Sequence, residues 1–253
     1  MIGGRVVIGI IQARMNSTRL PGKVLETLEG VPLLAYMLAR LRRATLIDRL
    51  VVATTRNAAD DPVADLCRQE EIGVFRGDEH DVLGRFHNCV QEFGGDVIVR
   101  LTADCPMIDP ALVDEIVEAF DRADVDYLSN AVKRTYPDGL DVEVFSQAAL
   151  GRASRDATTA EDREHVTSYI HGFAETGAHG FSVRQHIFAG DFGHLRWTVD
   201  TLEDLNRVRA LTQLLPAGYS WLDALAEATK VPTLLGSVLP GSDGMASSAN
   251  VQV

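Results

Sequence analysis

Cations are scarce in this chain: 24 Lys and Arg stand against 36 Asp and Glu over 253 residues, a formal charge of −12. That balance excludes general electrostatic attraction to nucleic acid or to an anionic membrane surface. Cysteine is scarce too. Cys67, Cys89 and Cys105 contain no C-x-x-C pair and are odd in number. This excludes a disulfide framework and a zinc cluster, and it predicts a reducing, cytoplasmic setting. Long apolar runs are missing. Val6 to Ile11 is too short for a signal-peptide core, an arginine-rich loop follows it, and no stretch approaches the length of a membrane span. Internal repeats are absent, as are both familiar phosphate patterns, G-x-x-x-x-G-K-[ST] and G-x-G-x-x-G. What is present is a hydrophobic content of 46%, enough for a sizeable core in one large α/β unit.

Against the acidic background, one short segment reverses sign. Val6 to Ile11 reads as a fully buried strand of a parallel sheet, and it opens into a loop carrying Arg14, Arg19 and Lys23. Ser17, Thr18 and Gly22 lie between these cations. The carboxyl end of a first buried strand is where open α/β sheets bind anionic ligands. The placement points to a phosphate-rich ligand such as a nucleoside triphosphate, although a solvated loop carries the same charges.

Strand and helix signals alternate through the first half. Helical spacing over Leu33 to Leu41 follows Pro32, and Leu50 to Ala53 is a short buried strand. A helix from Asp60 to about Glu71 precedes a strand at Gly73 to Phe75. A helix from His80 to Phe93 precedes a strand at Asp96 to Leu101. This order calls for parallel pairing in a Rossmann-like sheet. Beyond Phe120 the texture changes. Leu140 to Phe145 alternates apolar and acidic residues, which predicts a strand with one face in the core and one open. Helices are predicted at Gln147 to Arg155, Ala160 to Thr176 and Leu202 to Leu214, and strands at Gly180 to Arg184 and Leu195 to Val199. Residues 1–235 read as a single domain, and the Gly-, Ser-, Ala-, Asn- and Asp-rich stretch 236–253 as a disordered tail.

Two acids end predicted strands. Asp104 follows Thr102-Ala103 at the tip of the fourth strand, and Asp200 follows Val199. A carboxylate beside a triphosphate needs a cation between them, and Mg²⁺ binds through one or two carboxylates plus phosphate oxygens. The plainer role for either acid is a helix cap. Asp109 is the better-placed cap for the helix near Pro110, and Asp200 is itself a reasonable cap or turn residue.

The pattern A-R-x-x-S-x-R-L-P-G-K at Ala13 to Lys23 closely resembles the nucleotide loop of the sugar cytidylyltransferases, the group of CMP-Kdo synthetase, CMP-sialate synthetase and the spore-coat polysaccharide protein SpsF. Val199 to Leu205 matches that family's I/V-D-x-x-E-D-L. Asp138 to Phe145, after Pro137, resembles the P-D-G-L-D-V-E-V-F of the SpsF branch, and Glu161 to His165 its E-R-E-H-V-T. Kdo synthetases usually carry Q-G-D-E-P where this chain has Thr102-Ala103-Asp104-Cys105-Pro106, which favours the SpsF branch. The resemblance covers about residues 5–215. It implies the nucleotide-diphospho-sugar-transferase fold, a three-layer α/β/α arrangement with a mixed, mostly parallel sheet. It also implies Mg²⁺-dependent transfer of CMP from CTP to a small sugar of the acidic or nonulosonic kind, with release of pyrophosphate, in cell-surface polysaccharide or glycan synthesis.

The same resemblance distributes roles. Asp104 and Asp200 would complete the metal site, with Arg14 and Lys23 beside them stabilising the reacting phosphate. Ser17, Arg19 and Thr102 would join them around the nucleotide. Ala13 would offer backbone groups to the pyrimidine, and Asp78 and Arg85 fall in a D-V-L-x-R stretch near it. By itself that stretch reads as a turn and helix start. Asp138, Asp141, Glu143 and His165 would face the sugar, although exposed strand and helix faces carry charge for solubility alone. Cytosine over uracil rests on the resemblance, and so does a homodimer. Nucleic acid and membrane are not expected partners. A glycosyltransferase on the same fold would usually show D-x-D, which Thr102-Ala103-Asp104 lacks. A non-catalytic nucleotide-binding protein is the other alternative.

Overall fold

The computed structural model describes residues 1–172 and 177–236. The first strand, β1 (Val7–Gln12), is flanked on both sides by parallel partners: β4 (Arg49–Thr55) and β6 (Val97–Thr102). Beyond β4 lies β5 (Gly73–Gly77), also parallel. Beyond β6 the sheet turns mixed. There β8 (Glu143–Ser146) pairs antiparallel to β6, β7 (Tyr127–Ser129) antiparallel to β8, and β9 (Val183–Gln185) parallel to β7. The order is β5-β4-β1-β6-β8-β7-β9. A small ribbon, β2 (Thr27–Leu28) with β3 (Val31–Pro32), stands apart from it.

Period-two alternation sorts the central strands between two cores. Val7 and Ile11 of β1, with Val97, Val99 and Leu101 of β6, face one apolar cluster. It includes side chains of α1 (Leu33–Leu41), α2 (Asp61–Gln69), α4 (Pro110–Ala123), α8 (Leu202–Thr212) and α9 (Trp221–Lys230). Ile8, Ile10 and Ile98 face the other, closed by α3 (Val82–Phe93), α5 (Gln147–Asp156) and α7 (Ser168–His171). The three-layer α/β/α expectation holds, with a mixed and mostly parallel sheet.

Helix starts follow local chemistry. Pro62 and Pro110 occupy first-turn positions, where a missing N–H is harmless. Asp109 caps α4 by accepting from the Ala111 N–H at 2.8 Å, and Thr201 with Asp204 forms a reciprocal capping box on α8. Both caps have a consequence for function. The capping duty that could have fallen to Asp104 or Asp200 is carried by neighbours, which leaves those carboxylates available.

Three expectations differ from the structure. Leu140 to Phe145 has no open face: β8 is a strand inside the sheet with both faces covered, and Glu143 is 6% exposed. The helix expected from Ala160 breaks. α6 (Ala160–Glu164) ends at His165, Val166 turns the chain with φ 58°, and α7 begins at Ser168. The last four residues of that expectation, 173–176, lie outside the described residues, as does the expected tail from 237 onward. Leu195 to Val199 is extended but forms no ladder. It is tied to the loop before β8 by the single bridge Asp138↔Arg196.

Candidate active site

The loop after β1 is held tightly for a segment without regular structure. The Met15 N–H donates to Asp60 Oδ1 at 2.6 Å, and Asp60 is itself 1% exposed and bonded by the Thr55 hydroxyl. The Gly22 N–H returns to the Met15 carbonyl at 2.8 Å, and Gly22 adopts φ 75°, a conformation that favours glycine. Lys23 then begins a single 3-10 turn, which aims its side chain back under the sheet's carboxyl edge.

At that edge Asp104, just past β6, meets Asp200, which follows the extended segment Leu195 to Val199. The Val199 N–H donates to the Asp104 carbonyl at 2.8 Å, so backbone joins the two segments. The Lys23 ammonium lies between their side chains, 3.0 Å from Asp104 Oδ2 and 2.8 Å from Asp200 Oδ1, and donates its third N–H to the Val199 carbonyl at 2.9 Å. Burial alone would lower the Lys23 pKa, but the two carboxylates override it and hold it above its ordinary value. Burial would raise Asp104, and the Lys23 charge with hydrogen bonds from Thr102 and Lys23 keeps it below the usual carboxylate range. Arg19 reaches Asp200 at 2.8 Å, and Arg196 bonds the same carboxylate.

The cleft over these groups has a volume of about 280 Å³. Ala13, Arg14, Ser17, Arg19, Lys23, Thr102, Asp104 and Asp200 all line it. A second hollow, of about 540 Å³, adjoins it through Arg14 and is bounded by Asp78 to Asp81 and by α6. Beneath, Arg85 is 1% exposed. Its Nη1 donates to the Asp78 carbonyl at 2.6 Å, while Nε and Nη2 have no partner among the described residues. Burial, with Arg14 nearby, brings the Arg85 pKa down to about 10. A buried guanidinium with idle donors is costly unless a ligand completes it.

On the other side of Asp200, Arg196 and Arg134 link the acids in series. Arg196 Nη1 lies 3.0 Å from Asp138, and Arg134 Nη1 spans Asp138 at 3.2 Å and Asp141 at 2.5 Å. Burial, with Asp141 and Asp104 close by, lifts Asp138 to about 6 despite both arginines. Neither arginine was singled out from sequence. Each lies four residues before an acid it binds, but only a helix makes that spacing a neighbour relation.

Glu143 and His165 are not gathered with these groups. Glu143 is buried and occupied: Arg100 pairs with it, the Tyr127 hydroxyl donates at 2.7 Å and the Thr167 hydroxyl at 2.5 Å. His165 is exposed at the end of α6. From the same helix it is Arg163 that reaches inward, clamping the α3 cap Asp81 at 2.8 and 2.5 Å.

Hard oxygens are what a small divalent cation requires, and Asp104 and Asp200 supply them. No group of three or more His, Cys, Asp or Glu side chains among the described residues could hold a metal unaided. The donor set therefore fits a metal whose remaining ligands come from a bound phosphate chain.

The family model described as Cytidylyltransferase matches residues 8–224. The spore coat polysaccharide biosynthesis protein SpsF of Bacillus subtilis is 37% identical over 214 residues, 82% of this chain and 86% of that one. A solved cytidylyltransferase structure from Leptospira borgpetersenii superposes with a TM-score of 0.86 at 30% identity, covering 92% of this chain and 98% of that one. CMP:2-keto-3-deoxy-manno-octonic acid synthetase, solved with CTP, shares the fold at a TM-score of 0.62 and 18% identity, over 82% and 98% of the two chains.

Proposed function

This chain belongs to the cytidylyltransferase family, and from that premise we propose that it joins CMP from CTP to a sugar hydroxyl, releasing pyrophosphate. One observation carries the reading. Two acids from distant segments, Asp104 and Asp200, are brought onto one lysine at the mouth of a cleft lined by a cationic loop.

The sugar oxygen attacks the α-phosphorus, the bond to the pyrophosphate oxygen breaks, and the hydroxyl proton passes to solvent water. Arg14, Ser17, Arg19 and Lys23 bind the triphosphate, and the cations among them balance charge on the phosphate oxygens. Asp104 and Asp200 would hold Mg²⁺, which when bound would neutralise the departing pyrophosphate and polarise the phosphorus. The base lies against Ala13 and Thr102, with Asp78 and the idle donors of Arg85 on its far side. Asp138 and Asp141 face the acceptor, an acidic or nonulosonic sugar destined for a surface polysaccharide or glycan. Residues 1–235 act as one domain in the cytoplasm.

The test is pyrophosphate release with Mg²⁺ from CTP, UTP, GTP and ATP across a panel of acidic and other free sugars. Release with CTP and one sugar, lowered about 100-fold or more in Asp104→Asn and Asp200→Asn, is the expected result. Release from another nucleotide would overturn the assignment of the base. No release from any nucleotide, with CTP bound tightly, would overturn the assignment as an enzyme.

A further inference from the structure

Lys23 stands where the proposed reaction needs a metal. Resting on that reading, we infer that Lys23 is a resident counter-ion: it keeps a free divalent cation off Asp104 and Asp200 until a triphosphate draws the ammonium away.

The three acceptors of Lys23 are the two acids and the carbonyl between them in the chain, at 3.0, 2.8 and 2.9 Å. An ammonium has three N–H donors, so all are used. Magnesium binds oxygen at about 2.1 Å. It would therefore need the same carboxylate oxygens at closer range, with the ammonium beside it. Two cations sharing one pair of carboxylates repel, and the lysine must leave.

Where it can go depends on the nucleotide. The Lys23 side chain is 10% exposed and its backbone is fixed in the 3-10 turn after Gly22. Displaced by a bare metal ion, the ammonium would give up two charged partners and a carbonyl in a confined place, which is strongly unfavourable. Lys23 also lines the cleft, so a triphosphate there offers new anionic partners a short swing away. One exchange of partners then serves both cations. Arg19 is the useful contrast. Among the described residues it pairs with Asp200 alone, and it is 54% exposed, so it can yield to a metal without losing solvation.

The consequence is coupling. Metal and nucleotide each raise the other's affinity through Lys23, beyond their direct contact, and by linkage the effect is reciprocal. A metal-loaded, nucleotide-free state is disfavoured by the chain itself.

The experiment measures Mn²⁺ binding by electron paramagnetic resonance on the full chain without nucleotide. Lys23→Met is expected to bind Mn²⁺ about tenfold or more tightly than the wild type. Lys23→Gln serves as a second variant in case the first folds poorly, and Arg19→Met should stay close to wild type. Equal affinity in wild type and both Lys23 variants would overturn the inference. So would an equal gain in Arg19→Met, which would make the effect one of overall charge. Adding Asp104→Asn to Lys23→Met should erase the gain. Persistence of the gain would place the metal elsewhere, overturning the assignment of Asp104 as a ligand and with it the inference.

Discussion

Glu143 keeps its charge inside the protein because its surroundings answer it. Burial would raise its pKa, but the Arg100 charge and hydrogen bonds from Thr167 and Tyr127 hold it below the usual value. A carboxyl depressed in the folded state stabilises above its unfolded pKa, and that contribution is lost as pH falls through the folded value. Glu143→Gln is therefore expected to lower stability by about 3 kcal/mol near neutral pH, as loss of one partner of a buried pair does. Denaturation followed from pH 7 down to about 3 should show the gap between wild type and variant closing below the unfolded glutamate pKa of about 4.3. Sequence alone put Glu143 on an open face, because alternation tells which residues share a side but not whether a second layer covers it. Asp104 was legible for the opposite reason: it follows a buried strand at a position that the fold class makes a crevice, whereas Asp200 was singled out by the family resemblance, its own residues reading as well as a turn or cap. Arg134 and Arg196 were not legible, since a spacing of four outside a helix does not announce a pair, and the Arg196–Asp138 pair joins segments far apart in the chain.

At the scale of elements, the loop before β8 shows how closely two segments can pass. Gly139 has φ 111°, and a Cβ there would lie 2.8 Å from the backbone at Trp197 and Thr198. Gly30, in the β2–β3 turn, has φ 81° with open space around it. Gly139→Ala is expected to cost more than 3 kcal/mol, roughly the upper end for single changes, and Gly30→Ala about 1 kcal/mol. Thermal melting of the two variants side by side checks the difference. The elements of the first half were readable to within a few residues, since buried strands and capped helices advertise themselves locally. The break between α6 and α7 was not. Helical periodicity continues through His165, but the Thr167 hydroxyl is drawn to Glu143, and Val166 accepts a left-handed turn to let it reach. A tertiary bond there outweighs local preference.

For the molecule as a whole, the parallel pairing of the first half of the sheet could be read from the alternation of strands and helices. The pairings of the mixed half could not, because β7, β8 and β9 are short and only β8 lies against β6, with β7 added on β8 and β9 on β7. No helix among the described residues is long and apolar enough to cross a membrane. A chain ending at Gly236 is expected to melt at the same temperature and to bind CTP as the full chain does. Calorimetry of both forms tests that expectation of a single domain over 1–235.

The hydrogen bond from Val199 to the Asp104 carbonyl joins residues that leave the ribosome far apart in time. Every cation of the nucleotide loop emerges early, and so does Asp104. Asp200 does not emerge until most of the chain has been made. Until then Lys23 has one acid instead of two, and the cleft lacks a wall. A nascent chain short of the segment around residue 199 can display a cationic loop, yet it lacks both the second acid and the late side chains, Val199 and Leu205 among them, that close one face of the core. The two acids meet in one step, when that segment comes home, so that the cleft is completed only after most of the chain has been made.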